Sequence, residues 1–248
     1  MLNNITIGPI TIHMYGLMFG IAYLCAYFVS CKRAKKYGLN EDILWGILIC
    51  AILGTLIGSR LLFYLVSIPQ IIKNPSIIWN FRNGYVVYGG IMCGVLLGYF
   101  YCKKKGASFL NYFDLVMPSV SLAQGIGRIG CFFAGCCYGR ETDSWFHIIY
   151  THSEYAPNHV PLIPTQLISS AGNFIIAALL FWYASKSKKT GTVGALYMIL
   201  YSIGRFIIEM FRNDYRGTWG MLSTSQIISI GITAAGIFFM FLFYKKEN

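Results

Sequence analysis

The sequence predicts an all-α, polytopic integral membrane protein with about seven transmembrane helices, and three observations support this fold class. First, 56% of the 248 residues are hydrophobic and only 12% are charged, whereas soluble domains carry about 25% charged residues. Second, the apolar residues form long segments that approach the length of about 20 residues needed to cross a bilayer. Third, lysine and arginine concentrate in alternate connecting segments. We therefore expect one transmembrane domain over residues 1–248.

The apolar segments follow one another with short connections. The first has no basic segment before it and no small-residue cleavage site after it, so we expect a permanent helix and not a removed signal peptide. The longest connection is an outer loop at about residues 138–163. The predicted spans run over roughly residues 10–31, 43–67, 86–102, 112–137, 164–185, 192–210 and 222–244.

The net charge of +11 would also suit a nucleic-acid-binding protein, but basic residues of membrane proteins gather in cytoplasmic loops. We therefore expect no nucleic-acid partner, an outer N-terminus and a cytoplasmic C-terminus. Three arginines, Arg60, Arg128 and Arg205, fall within spans. The predicted cytoplasmic side carries Lys32, Arg33, Lys35, Lys36, Lys103, Lys104, Lys105, Lys186, Lys188, Lys189, Lys245 and Lys246, and the outer side carries Lys73, Arg82, Arg140, Arg212 and Arg216.

The sixth span carries charges at helical spacing. Arg205, Glu209 and Arg212 lie at i, i+4 and i+7, so they share one face at the outer end of the helix. Charges inside a membrane are costly and mark functional sites by default. Glu209 could hold Arg205 in place while leaving guanidinium donors available. The alternative is an ion pair that only staples the helix.

Arg128 lies in the fourth span near the same leaflet. Two arginines from different helices would form a clamp for phosphate, because guanidinium groups bind phosphate oxygens bidentately. The anion available at this depth is a lipid headgroup phosphate. The alternative is that Arg128 pairs with Glu209 or with backbone carbonyls at a helix break.

The string Gly125-x-Gly127-x-x-Gly130 matches a dinucleotide-binding fingerprint. We reject that interpretation, because no strand precedes it and its flanks are membrane segments. Small residues in membrane helices more often permit close packing. Gly54-x-x-x-Gly58 and Gly135-x-x-x-Gly139 are interpreted in the same way.

Other polar residues begin or end spans on the outer side. Tyr88 could donate or accept a proton there, or it could be an interfacial aromatic residue, and the same alternatives hold for Tyr15. His13 is interpreted as interfacial. Gln166 and Gln226 could bind headgroup atoms or bond neighbouring helices.

The cysteines form two groups. Cys131, Cys136 and Cys137 cluster, while the other five are dispersed and are interpreted as packing residues. A zinc site would need a second ligand pair, which the sequence lacks unless His147 or His152 contributes. A disulfide between Cys131 and Cys136 would need a helix break. We favour small buried residues over catalytic thiols for the cluster.

Taken together, these segments resemble the prolipoprotein diacylglyceryl transferases of bacterial inner membranes over nearly the whole chain. The pieces that resemble the family are His13-Met-Tyr15-Gly16, Tyr88-Gly89-Gly90, Gly127-Arg128-Ile-Gly130 through Gly139-Arg140, Pro164-Thr-Gln166-Leu, Arg205-Phe-x-x-Glu209-x-x-Arg212 and Leu222-Ser-x-x-Gln226.

The resemblance implies that a diacylglyceryl group moves from phosphatidylglycerol to the lipobox cysteine of a prolipoprotein. A thioether forms, glycerol phosphate leaves, and the site faces the outer leaflet. No metal or organic cofactor is implied. The partners are phosphatidylglycerol, prolipoprotein signal peptides and the bilayer. Candidate catalytic residues are Tyr15, Tyr88, Arg128, Arg205 and Glu209, and candidate substrate-binding residues are Gly89, Gly90, Arg128, Gly139, Gln166, Arg212 and Gln226.

The chain departs from the family pattern at several polar positions. Cys131, Ala134 and Cys136 replace the usual Asn, Asn and Glu, and Tyr88 and Ile163 replace histidines. We therefore expect Tyr88 or a thiolate of the three-cysteine cluster to substitute for the missing base.

Three other functions fit parts of the pattern. A relative could use the same lipid clamp with another acceptor, or a non-catalytic protein could bind or flip phospholipid. A membrane thiol oxidoreductase would be expected to carry a C-x-x-C pair, which is absent from the sequence.

Overall fold

The computed structural model describes residues 4–7, 10–80, 84–187, 189–213, 218–219 and 222–246. These residues are mostly helical, with three short pairs of antiparallel strands. The helices are α1 (Met14–Tyr37), α2 (Glu41–Leu53), a π-helical turn (Gly54–Gly58), α3 (Ser59–Val66), α4 (Ile68–Lys73), a 3-10 helix (Pro75–Trp79), α5 (Val87–Lys104), α6 (Phe109–Ala134), α7 (Thr165–Lys186), α8 (Thr192–Glu209) and α9 (Thr224–Lys246). The paired strands are β1 (Asn4–Ile7) with β2 (Ile10–His13), β3 (Ile148–Ile149) with β4 (Pro161–Leu162), and β5 (Thr218–Trp219) with β6 (Leu222–Ser223).

Six helical stretches among the described residues are long and apolar enough to cross a membrane. This confirms the predicted class of polytopic α-helical membrane protein. The predicted third span corresponds to α5, which is not one of the six. The count of seven spans, the orientation and the single domain therefore stay predictions. The six stretches are Met14–Tyr37, Glu41–Val66, Phe109–Ala134, Thr165–Lys186, Thr192–Glu209 and Thr224–Lys245.

Two predicted span boundaries were wrong. The first span was expected to begin at residue 10, but Ile10–His13 form a strand paired with Asn4–Ile7. The fourth span was expected to continue to residue 137, but α6 ends at Ala134. Gly135 follows with φ +71°, a left-handed conformation that commonly terminates helices. Cys136 and Cys137, which were expected to lie within the fourth span, therefore lie beyond the end of α6.

The chain forms two compact units, residues 1–30 with 113–248, and residues 31–112. In the first unit, basic residues stand at the end of α7 and the start of α8. Lys189 Nζ lies 3.8 Å from the ring centroid of Tyr244 near the end of α9. Lys189 and the end of α9 therefore lie at the same end of this unit. Three residues used to predict the orientation, Arg82, Lys188 and Arg216, lie outside the described residues.

The second unit packs α5 against α2 and the π-helical turn through glycines. An added Cβ at Gly58 would clash with the backbone of Gly89, and one at Gly90 would meet Thr55 Cα at 3.0 Å. The close-packing interpretation of Gly54-x-x-x-Gly58 is confirmed, because a Cβ at Gly54 would clash with the backbone of Gly94.

The intramembrane arginine of this second unit is held by backbone carbonyls. Arg60 Nη2 donates to the carbonyl of Asn80 at 2.8 Å and to that of Ile78 at 3.0 Å, and its Nη1 donates to that of Gly84 at 3.2 Å. Its side chain is buried. Arg60 therefore organises the segment between α3 and α5.

Candidate anion and thiol site

The candidate site lies in the first unit, where several helices begin or end. The extended segment 138–142 connects them through backbone hydrogen bonds. Arg140 N donates to Phe211 O at 2.9 Å, just after α8, and Gly139 N donates to Ile163 O at 3.2 Å, just before α7. The end of α6, the start of α7 and the end of α8 are thereby fixed at one end of this unit.

The ion pair predicted from i, i+4 spacing on α8 is confirmed. The expectation that Arg212 shares this helix face was wrong, because α8 ends at Glu209 and Arg212 lies beyond it in a β-bridge. Arg205 Nη2 lies 2.6 Å from Glu209 Oε2, and the two side chains are 9% and 6% exposed. Ser225, at the start of α9, accepts a hydrogen bond from Arg205 Nη2 at 3.2 Å. Ser223 Oγ donates to Glu209 Oε1 at 3.2 Å. The end of β6 and the first turn of α9 therefore hold the two members of the pair.

One donor of this arginine is not used. Arg205 Nη1 is buried and has no hydrogen-bond partner among the described residues. A buried donor without a partner carries a desolvation penalty of about 1–3 kcal/mol, and more when it is charged. Arg205 Nη1 therefore presents a buried N–H group that a ligand oxygen could satisfy.

Three arginines of this unit are close enough for their charges to interact. Arg205 interacts electrostatically with both Arg128 and Arg212. Arg128, from α6, is partly exposed, and its guanidinium has no hydrogen bond to another described residue, so the alternative of pairing with Glu209 is not observed. Like charges at short range repel, and an anion between them would relieve this repulsion.

Gly139 positions Arg212. The two residues form an antiparallel bridge, and Arg212 is buried. A Cβ at Gly139 would lie 2.5 Å from Ile163 O and 2.8 Å from Ile163 Cβ. Only glycine fits between the two neighbouring segments, so its close-packing role is confirmed in an extended segment and not between helices.

The three clustered cysteines meet because α6 ends before Cys136. The Sγ atoms of Cys131, Cys136 and Cys137 all lie within 4.8 Å of one another. Cys136 Sγ donates to Cys131 O at 3.8 Å. None of the eight cysteines, all of which lie within the described residues, forms a disulfide. The helix break that a Cys131–Cys136 contact required is therefore present.

The start of α7 holds this cysteine turn. Thr165 Oγ1 donates to Cys137 O at 2.8 Å, and Gln166 Nε2 donates to Cys136 O at 2.8 Å. Gln166 Nε2 also donates to the Tyr150 hydroxyl at 3.2 Å. Of the two interpretations of Gln166, the structure supports bonding between segments, while its buried Oε1 has no partner among the described residues.

Hydrogen bonding within the cluster shifts the pKa values of Cys136 and Cys137, which lie beyond the end of α6, in opposite directions. The pKa of Cys137 is lowered, because its sulfur is hydrogen-bonded to Cys131 and Cys136 and lies near the charges of Arg212 and Arg128. The pKa of Cys136 is raised by the same hydrogen bonds, with burial adding to the effect. The two thiols are therefore not equivalent. Burial raises the pKa of Tyr150 to about 12.

The remaining predicted positions are distributed over both units. Tyr15, in the first unit, interacts electrostatically with the three cysteines and with Arg128. Gln226 forms a capping box with Ser223: Gln226 N donates to Ser223 Oγ at 3.2 Å, and Ser223 N donates to Gln226 Oε1 at 2.9 Å. Tyr88, Gly89 and Gly90 lie in the second unit, where both glycines are buried in helix packing.

Sequence reasoning did not single out Tyr201 or Ser225. Tyr201 interacts electrostatically with Arg128 and Arg205. The sequence could have indicated Tyr201, because it lies four residues before Arg205 and so shares its helix face. Ser225 had no local signal, since its contact with Arg205 joins different helices.

The fold and this site define a polytopic membrane protein with arginines and thiols gathered at one end of a helical unit. Comparison with known proteins makes this class specific. A family model described as prolipoprotein diacylglyceryl transferase matches residues 3–242, and the chain belongs to that family.

Curated relatives agree with the family assignment. A protein of Clostridium tetani named phosphatidylglycerol–prolipoprotein diacylglyceryl transferase is 47% identical over 227 residues, which cover 92% of this chain and 91% of the relative. A second, from Clostridium perfringens and named with the suffix 2, is 44% identical, with 91% and 89% covered. A third, from Finegoldia magna, is 34% identical over an alignment that covers 98% of this chain and 95% of the relative.

Proposed function

We propose that this protein transfers the diacylglyceryl group of phosphatidylglycerol to the lipobox cysteine thiol of a prolipoprotein in a bacterial inner membrane. A thioether forms and glycerol phosphate is released. Membership of the family and the names of relatives at 44–47% identity support the reaction. The predicted orientation would place the site toward the outer leaflet.

The observation that carries this proposal is the unused buried donor of Arg205. Nη1 has no protein partner among the described residues, while Nη2 is fixed by Glu209 and Ser225. The guanidinium is therefore oriented before a ligand arrives. A phosphate oxygen would accept from Nη1 in a charge-assisted hydrogen bond, which is roughly twice as strong as a neutral one.

Arg128 and Arg212 would complete the phosphate clamp. Both interact electrostatically with Arg205, so the three cations create a local potential that favours an anion. During transfer, the acceptor sulfur attacks the glyceryl carbon bonded to the phosphate oxygen. The C–O bond breaks and its electron pair remains on the departing phosphate. Arginine donors stabilise that charge and orient the attacked carbon.

The other candidate residues have supporting roles in this proposal. Gly139 positions Arg212 through their backbone bridge. Gln226 caps α9 beside Ser223, which holds Glu209. Tyr15 lies near both Arg128 and the cysteines. Catalysis by Tyr88 and substrate binding by Gly89 and Gly90 stay predictions.

The direct test is transfer in a purified system. The protein in detergent would receive phosphatidylglycerol and a lipobox peptide, and mass spectrometry would detect the peptide with a diacylglyceryl thioether. A peptide with serine in place of cysteine is the control. Bound phosphatidylglycerol without any product would overturn the transferase proposal and favour a phospholipid-binding protein.

A further inference from the structure

The three-cysteine turn has the geometry of a thiolate metal site. The Sγ atoms of Cys131, Cys136 and Cys137 lie within 4.8 Å of one another. Three sulfurs bound tetrahedrally at a Zn–S distance of 2.3 Å are separated by about 3.8 Å. A contraction of at most about 1 Å would bring the three sulfurs to that separation.

The backbone holds this arrangement before any metal binds. Gly135 and Cys137 adopt φ values of +71° and +62°, and the second is uncommon for a residue other than glycine. The carbonyls of Cys136 and Cys137 are fixed by Gln166 and Thr165 at 2.8 Å. Such strain persists only where the surroundings enforce it, and it clusters at functional sites.

The surrounding charge fits a thiolate complex. Zn²⁺ with three thiolates carries a net charge of −1, and Cys137 interacts favourably with Arg212 and Arg128. All three cysteines are only partly buried, so a fourth ligand could reach a bound ion. Three protein ligands and one open position are typical of catalytic zinc, whereas structural sites use four protein ligands.

We propose that Cys131, Cys136 and Cys137 bind a zinc ion whose fourth position takes the acceptor thiol. This proposal rests on the transferase function proposed above and departs from the expectation of a metal-free enzyme. The acceptor thiol loses its proton to water on binding, because a thiol that coordinates zinc is deprotonated. The thiolate is the reactive nucleophile. The zinc site would thereby replace the base that this chain lacks at the family positions.

The electron balance of the step requires no oxidant or reductant. The metal-bound sulfur donates an electron pair to the glyceryl carbon and forms the C–S bond. The C–O bond to phosphate breaks, and its pair leaves with glycerol phosphate, which can take up a proton from water. The thioether product carries no negative charge and is a weaker ligand than the thiolate, so it can dissociate.

Metal content of the purified protein tests the site itself. After purification without chelator, inductively coupled plasma mass spectrometry should find one zinc per chain. The zinc occupancy of Cys136→Ser should be at least tenfold lower. Cys25→Ser is the matched control, because Cys25 is also partly buried in the first unit; it should retain zinc. Equal metal content in both variants would overturn the proposal.

Cobalt substitution tests the open position without relying on turnover or on a variant that could misfold. Co²⁺ bound by the native chain should show thiolate-to-metal charge-transfer absorption. The lipobox peptide should shift the visible bands, and the serine peptide should not. An unchanged spectrum with the cysteine peptide would overturn thiol coordination.

Chelation separates failure of the zinc site from failure of the transferase function. We expect removal of zinc to lower transfer at least a hundredfold, and its return to restore the rate. Full transfer by metal-free protein would overturn the zinc proposal and leave the transferase function standing. A cobalt spectrum shifted by the cysteine peptide, with no transfer by zinc-loaded protein, would support the site and overturn the function.

Discussion

Arg205 and Glu209 form a buried ion pair in which one arginine nitrogen, Nη2, contacts the carboxylate at 2.6 Å and the other, Nη1, is left without a partner among the described residues. A pair built only for stability would be expected to satisfy all its buried donors, because an unpaired buried polar group is costly. The Nη1 donor of Arg205 is therefore available to a ligand oxygen, and this relationship leads to the first two predictions.

Arg205→Ala is expected to reduce diacylglyceryl transfer by at least about a hundredfold, the loss typical of removing one donor to a developing charge. Arg205→Lys should transfer little faster than Arg205→Ala, because an ammonium group cannot bind phosphate bidentately as a guanidinium does. Transfer would be measured with phosphatidylglycerol and the lipobox peptide. Arg33→Ala, in the second unit, serves as the control. Equal rates for Arg205→Ala and the control would contradict the phosphate clamp.

Glu209→Gln is expected to destabilise the protein by about 3–5 kcal/mol, because it leaves the Arg205 charge buried without its counter-ion. Ser223→Ala removes only the hydrogen bond to Glu209 Oε1 and part of the α9 cap, so about 1 kcal/mol is expected. The midpoint of thermal unfolding in detergent would rank the two variants. A larger shift for Ser223→Ala than for Glu209→Gln would show that the ion pair is not the main contribution.

Gly139→Ala is expected to destabilise the protein by about 1–3 kcal/mol and to lower transfer, because the new Cβ would overlap Ile163 and displace the segment that forms the bridge with Arg212. Gly172→Ala is the matched control, since its Cβ would meet nothing within 4 Å and alanine favours helix. Thermal unfolding and transfer rate together provide the measurement. Equal behaviour of the two alanine variants would contradict the positioning role.

Tyr150 is expected to make the protein alkali-sensitive. Its pKa is raised to about 12 in the folded chain, against about 10 in an unfolded one. The folded state therefore holds the proton more tightly, so this stabilisation is complete below pH 10 and is lost as the pH rises to 12. The loss amounts to about 2–3 kcal/mol.

Unfolding midpoints measured from pH 9 to 12 would test this prediction. The native chain should lose stability more steeply than Tyr150→Phe, which lacks the titrating hydroxyl. Parallel pH profiles for the two proteins would contradict it. Tyr155→Phe, which alters an exposed tyrosine in the same loop, should match the native profile.

Hydrophobic segments and charge spacing were sufficient to predict much of this protein. The six membrane-length helices correspond to predicted spans, because only regular helices satisfy backbone hydrogen bonds in lipid. The Arg205–Glu209 pair followed from i, i+4 spacing alone. The starts and ends of spans were less predictable. Ile10–His13, which were assigned to the first span, pair as a strand, and Gly135 terminates α6 within an apolar run.

The sequence by itself determined the membrane class, the family resemblance and the charged face of α8, because each depends on local composition or on neighbours within one helix. Only the tertiary structure decided which groups converge. Arg128, Arg205 and Arg212 interact across segments, Ser225 reaches Arg205 from another helix, and Cys136 and Cys137 return to Cys131. These contacts depend on where α6 ends and on how separate segments pack, and no local spacing specifies either.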